Sequence, residues 1–277
     1  MKRTLVRKRI KAQAMVSLQG SWLKTFGIII AQLALSVLIL SFLPLHIPTV
    51  DELLGVQGDA MQMLRLFVPD VITKKTIASV IVTLALYVIV MAPLSVGICR
   101  FFLKVARGEK TKFSDAFSPF TSLKTVFSSV WLEFLIAFMS AFWSFLFMLV
   151  PTLLIVLCAK AGLYFVANIL LPLLPVSALF SILWNSRYVF AKYIFAEGKS
   201  GGAFASLREC ISLMRGRTVE CIFLRASYLL WDIASSLSYI LPLSYVYAAL
   251  SGTVYAGYLF YLRGDKTPGD TAEAPTF

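Results

Sequence analysis

Three ionisable residues interrupt otherwise apolar stretches of this chain: Glu133, Arg225 and Asp232. An ionised side chain at the centre of a bilayer costs about 2.5 to 3.5 kcal/mol on insertion scales, so each must face protein or water and find a partner. Glu133 and Arg225 each lie about seven residues past the start of an apolar run. Equal depth predicts a cross-helix ion pair between them. Asp232 stands seven residues beyond Arg225 on the same helical face, about 10.5 Å farther along at 1.5 Å per residue. It is therefore expected to share a hydrogen bond with Asn168, at similar depth on another run, rather than to pair with Arg225. One reading of this network is a proton or ion site on a translocation path. The other is polar glue between helices, or a carboxyl kept protonated, and the scarcity of further polar residues favours it. Arg100 and Arg187 each close an apolar run beside aromatic residues, an arrangement suited to clamping a lipid phosphate; anchoring by positive charge at the inner interface explains them equally well.

Enzyme chemistry finds little to work with. The chain has no complete Gly-x-x-x-x-Gly-Lys-Ser/Thr phosphate loop and no His-Glu-x-x-His pair, and its one histidine, His46, is not placed to serve a serine nucleophile. Glu133 and Asp232, about 10 Å apart in depth at helical rise, do not form a catalytic carboxylate pair. Cys99, Cys158, Cys210 and Cys221 fall into no metal-binding spacing. The sequence is read as a protein without enzymatic activity, cofactor, metal site or disulfide.

The elements that position these residues follow from composition. With 59% hydrophobic residues, 14% charged and a mean hydropathy of +0.82 over 277 residues, the chain carries more apolar surface than a soluble globule can bury. Continuous apolar runs of about 20 residues, rather than short alternating ones, select membrane helices over a barrel. Six spans fit the pattern: residues 25–45, 76–98, 126–157, 162–194, 219–241 and 244–262. The first lacks a small-residue cleavage site and is read as a retained anchor. Lysines and arginines cluster before the first span, between the second and third, between the fourth and fifth, and after the sixth, which places both termini in the cytoplasm. The net charge of +12 then points to anionic lipid head groups at the inner face rather than to nucleic acid, for which no soluble domain exists.

The predicted fold is all-α: a polytopic helical bundle of three hairpins in a single domain over 1–263, with short interfacial amphipathic helices and a polar, disordered cytoplasmic tail over 264–277. Val6, Ile10, Ala14, Leu18 and Trp22 recur at helical spacing among basic residues, as do Phe204, Leu207, Ile211 and Met214, and both stripes suit the inner interface. Phe101 and Phe102 read as interfacial aromatics. In the outer loop, Thr49 and Glu52 form a capping box, followed by a Met61, Leu64, Phe67 stripe. Pro151, Pro172 and Pro175 predict kinks or breaks in the third and fourth spans, with 151–174 partly re-entrant. A short repeat recurs at hairpin ends: "ARGEK" at 106–110, "AEGKS" at 196–200 and "LRGDK" at 262–266.

The stretches "KRIKAQAMVSLQGSWLKTF", "SVGICRFFLKVARGEKTKFSDAF", "FWSFLFMLVP" and "YVFAKYIFAEGKSGGAFASLRECISLMRGRTVECIFL" resemble the bacterial multi-pass membrane family known as domain of unknown function 975. The spacing of Gly20 and Trp22, and of Gly97, Arg100, Phe101, Arg107 and Gly108, carries the likeness, which spans most of the chain except the outer loop and tail. Between Pro151 and Pro175 the chain holds extra apolar residues. The resemblance implies a helical membrane protein of a bacterial cell membrane and no particular activity. Two functions are weighed on the residues. The first is an integral membrane protein that organises lipid or partner proteins through its basic inner face, or assists export or immunity. The second is a small carrier using Asp232, Glu133 and Arg225.

Overall fold

The computed structural model describes residues 2–43, 74–198, 201–224 and 241–264; the loop expected to face outward, with its capping box and apolar stripe, Arg225, Asp232 and the tail lie outside these. Every regular element among the described residues is helical. In chain order they are α1 (Lys2–Leu18), α2 (Trp22–Leu40), α3 (Lys74–Ala106), a 3-10 segment (Phe113–Thr121), α4 (Leu123–Lys160), α5 (Tyr164–Leu170), α6 (Leu173–Asn185), a 3-10 turn (Ser186–Tyr188), α7 (Ala191–Glu197), α8 (Ala203–Met214) and α9 (Leu241–Arg263). A further helical stretch covers 218–224.

Four helical stretches are long and apolar enough to cross a membrane: Trp22–Leu40, Ile77–Ala106, Leu123–Lys160 and Tyr164–Glu197. They coincide with the first four expected spans. The fifth expected span falls mostly outside the described residues, and the sixth lies within α9. The chain divides into two compact units, residues 1–29 with 92–277, and residues 30–91. In the smaller unit, the Ser36 hydroxyl reaches the Met91 sulfur at 3.6 Å and Gln32 O at 3.0 Å.

The larger unit shows why prolines did not break the third span. α4 runs unbroken through Pro151, because interrupting a helix in lipid would strand several backbone groups whereas continuing it forfeits one. The break comes instead at 171–172, where Pro172 ends a turn, while Pro175 sits in the first turn of α6, where its missing donor costs nothing. The fourth span is thus assembled from α5, α6, a 3-10 turn and α7.

Two interfacial readings are corrected by the core. Ile10, Ala14 and Leu18 are buried in protein, because α1 packs along α9, where Gly257 faces the Ile10 methyl. Phe101 and Phe102 are also buried rather than interfacial. Gly252 of α9 lets the Phe102 ring approach so closely that a Cβ there would fall 2.5 Å from Cε2. Gly97 does the same for the 3-10 segment, where a Cβ would sit 1.7 Å from Ala116 O. Along α8, Leu207 and Met214 are buried, whereas Phe204 and Ile211 are exposed, so its stripe is split between protein and surroundings.

Candidate functional site

Glu133 lies on α4 nearly three turns inside its N-terminal end, and its carboxylate meets Lys192 of α7 at 2.8 Å. From Phe134 to Cys158 α4 holds no charged residue. Arg225 and Asp232 lie outside the described residues, so the expected Glu133–Arg225 and Asn168–Asp232 pairs do too. Asn168, on α5, is exposed, and its backbone carbonyl accepts from Leu171 N at 3.3 Å.

The two candidate phosphate clamps differ. Arg100 continues α3 rather than starting a loop; its side chain is exposed and donates to the Ser118 hydroxyl at 3.3 Å. The Arg187 guanidinium carbon lies over the Trp184 ring, 3.6 Å from its centroid. Trp184 in turn packs on Trp143 at 4.8 Å and on Phe147 at 5.9 Å. Cation–π stacking holds the guanidinium plane and leaves its N–H edges to other partners.

Sequence reasoning missed two groupings. In the first, Arg107 and Arg263 both donate to Glu197, and Arg263 also donates to Glu209. Each of these three central residues immediately precedes a glycine in the left-handed region, Gly108 at φ 71°, Gly198 at 75° and Gly264 at 74°. At the end of α3, Gly108 N bonds Val105 O and Glu109 N bonds Lys104 O, the paired pattern of a Schellman cap. The repeat "ARG", "AEG", "LRG" is thus one helix-ending device used three times. An acid at a helix C-terminus opposes the helix dipole, and the Glu197 side chain is 2% exposed, so it requires the arginines of the other two ends. The alternation of Arg, Glu and Arg before those glycines was the available signal. Arg107 also lies 4.8 Å over the Phe260 ring.

In the second grouping, Ser144 of α4 and Ser181 of α6 share a hydrogen bond of 2.7 Å, and Asn185 Nδ2 donates to Ser144 at 3.0 Å. Asn185 Oδ1 is buried without a partner. The i,i+4 spacing of Ser181 and Asn185 in an apolar run was the legible sign of this polar seam.

Around these, the basic segments interlock. Lys24 donates to Thr111 O at 2.9 Å, Lys104 pairs with Asp115 at 2.8 Å, and Arg217 donates to Leu262 O at 3.1 Å. Burial raises the Asp115 carboxyl, but the bonds from Lys104 and the Lys112 N–H, with the charges of Lys104 and Arg100, outweigh it and hold the group below the usual carboxylate range. Burial pushes the Cys210 thiol up to about 12, so it stays protonated. All four cysteines are free thiols.

A model of the family described as Protein of unknown function (DUF975) matches residues 1–263. The chain belongs to this family. The match takes in every described helix, including the three glycine-capped ends whose charges meet at Glu197. No curated protein matches the chain. No solved structure matches it either.

Proposed function

We propose that this family member is a non-enzymatic, multi-pass protein of the bacterial cell membrane, with six spans in three hairpins and both termini cytoplasmic, which binds and organises anionic lipid at its inner face. One observation carries the reading. Contacts from Lys24 to Thr111, Lys104 to Asp115, Arg107 and Arg263 to Glu197, and Arg217 to Leu262 draw four basic chain segments into one assembly. The cations left over at its surface, Arg100 and Arg208 among them, face outward. A gathered cationic surface beside membrane helices attracts anionic head groups at about 1 kcal/mol per residue.

The test is the lipid retained by the protein purified in mild detergent from a membrane of mixed phosphatidylethanolamine and phosphatidylglycerol. Phosphatidylglycerol enriched over the bulk supports the reading; retention in bulk proportions defeats it. The carrier alternative, through Asp232, Glu133 and Arg225, draws support from the partnerless Asn185 Oδ1, whereas the neutralisation of Glu133 by Lys192 weighs against it. Proton-linked flux that disappears on Asp232→Asn with folded yield unchanged would favour transport.

A further inference from the structure

We propose that Arg187 and the groove between α4 and α6 form a site for one anionic phospholipid, its phosphate on the guanidinium and one acyl chain in the groove. The inference rests on the lipid-binding reading above and gives it an address.

The head-group end is defined by Arg187. Its guanidinium is half-buried in a chain segment of membrane character, is covered on one face by Trp184 at 3.6 Å, and pairs with no carboxylate among the described residues. A cation in such a place needs a compensating anion. The N–H edges of a stacked guanidinium suit an oxyanion that accepts two parallel hydrogen bonds, as phosphate does.

The tail end is defined by the groove. Trp184 packs against Phe147 at 5.9 Å, and Phe147 begins a groove of about 510 Å³ that continues along Val150, Leu154, Val176 and Phe180. That volume falls within the range of about 300 to 1,000 Å³ typical of ligand sites. Its one hydroxyl, Ser177, already donates to Leu174 O at 2.8 Å, so the groove asks for hydrocarbon alone. Along α6, Phe180 and Leu173 lie about 10 and 21 Å from Arg187 at helical rise, a reach matching a chain that runs from its head group into a core about 30 Å thick. The polar Lys192–Glu133 pair lies on the other side of Arg187 along the chain. The head group therefore belongs to the cytoplasmic leaflet, and the chain points toward the midplane.

The experiment uses the full-length protein in phosphatidylcholine vesicles containing a minor fraction of phosphatidylglycerol with brominated chains, read by quenching of tryptophan fluorescence. Brominated phosphatidylglycerol is expected to quench more than brominated phosphatidylcholine at equal mole fraction. Arg187→Gln should lower that preference about fivefold, the factor for one cation near the surface, while Arg187→Lys keeps most of it. Val176→Phe, which fills the groove and leaves the charge, should also remove the preference. Unaltered quenching by brominated phosphatidylcholine verifies that the variants are folded. Preference unchanged in both Arg187→Gln and Val176→Phe overturns the site, and so does displacement by deacylated glycerophosphoglycerol at concentrations comparable to the lipid. If the site fails while purified protein still retains excess phosphatidylglycerol, the broader lipid-binding reading stands without it.

Discussion

Glu197 holds Arg263 in an ion pair whose acid is 2% exposed and whose base is 12% exposed. The same carboxylate accepts from Arg107, so one acid pairs with the arginines at two other helix ends. Removing one member of a buried pair leaves an uncompensated charge, which costs about 3 to 5 kcal/mol. Glu197→Gln is therefore expected to lower the thermal unfolding midpoint in detergent far more than Glu209→Gln, since Glu209 is 38% exposed and such pairs contribute about 0 to 1 kcal/mol. Equal effects from the two substitutions would show that the triad is not a centre of stability.

The contact between Gly252 and Phe102 yields a second prediction. A methyl at 252 would fall 2.5 Å from the ring, and both residues are confined between α3 and α9. Overpacking of this kind typically costs about 1 to 3 kcal/mol. Gly252→Ala should destabilise the protein by that order, and Phe102→Leu should recover part of the loss in the double variant, giving non-additive midpoints. Strict additivity would mean that the ring moves aside freely.

These two contacts also mark how far the residues alone could carry the reading. Periodicity identified the apolar face of α1 through Ile10, Ala14 and Leu18, but an apolar stripe looks the same whether lipid or α9 covers it. Phe101 and Phe102 were ambiguous for the same reason: an aromatic at a span's end serves either a belt or a core. The long run from 126 to 196 was legible as membrane-crossing, whereas the choice between Pro151 and Pro172 as the break depended on which helix kept its remaining backbone bonds. Glu133 was legible as a charge needing a partner, yet its meeting with Lys192 depends on the bends between α6 and α7, which no local spacing encodes. The repeat at 107, 197 and 263 was visible as punctuation; its charges became a triad only once three helix ends converged.

The Lys192–Glu133 pair supplies a third prediction. Both side chains are about one-third exposed, and the pair closes at 2.8 Å. In detergent solution the net contribution should be small, about 0 to 1 kcal/mol, yet either charge alone beside an apolar run is unfavourable in lipid. Glu133→Lys and Lys192→Glu should each reduce the yield of membrane-inserted protein, and the double exchange should restore it. Failure of the exchange to rescue would indicate that Glu133 relies on a different cation, with Arg225 the first to test by the same exchange.

A fourth prediction concerns acid. Asp115 accepts from Lys104 at 2.8 Å and from Lys112 N at 2.8 Å, tying the 3-10 segment to α3. These contacts favour the ionised form, so the folded-state pKa is depressed relative to the unfolded chain. A depressed carboxylate contributes stability that is fully present above its unfolded value, about 3.9, and is lost as pH falls through the lower folded value. Thermal midpoints measured from neutral pH down to about pH 3 should thus fall in the wild type, and Asp115→Asn should start lower and show a shallower acid dependence. Because the pair is partly open to solvent, added salt should narrow the gap between the two proteins. An acid profile for Asp115→Asn parallel to the wild type would place the titrating anchor elsewhere, and Lys104→Gln, which removes the same partner from the other side, should then also leave the profile unchanged.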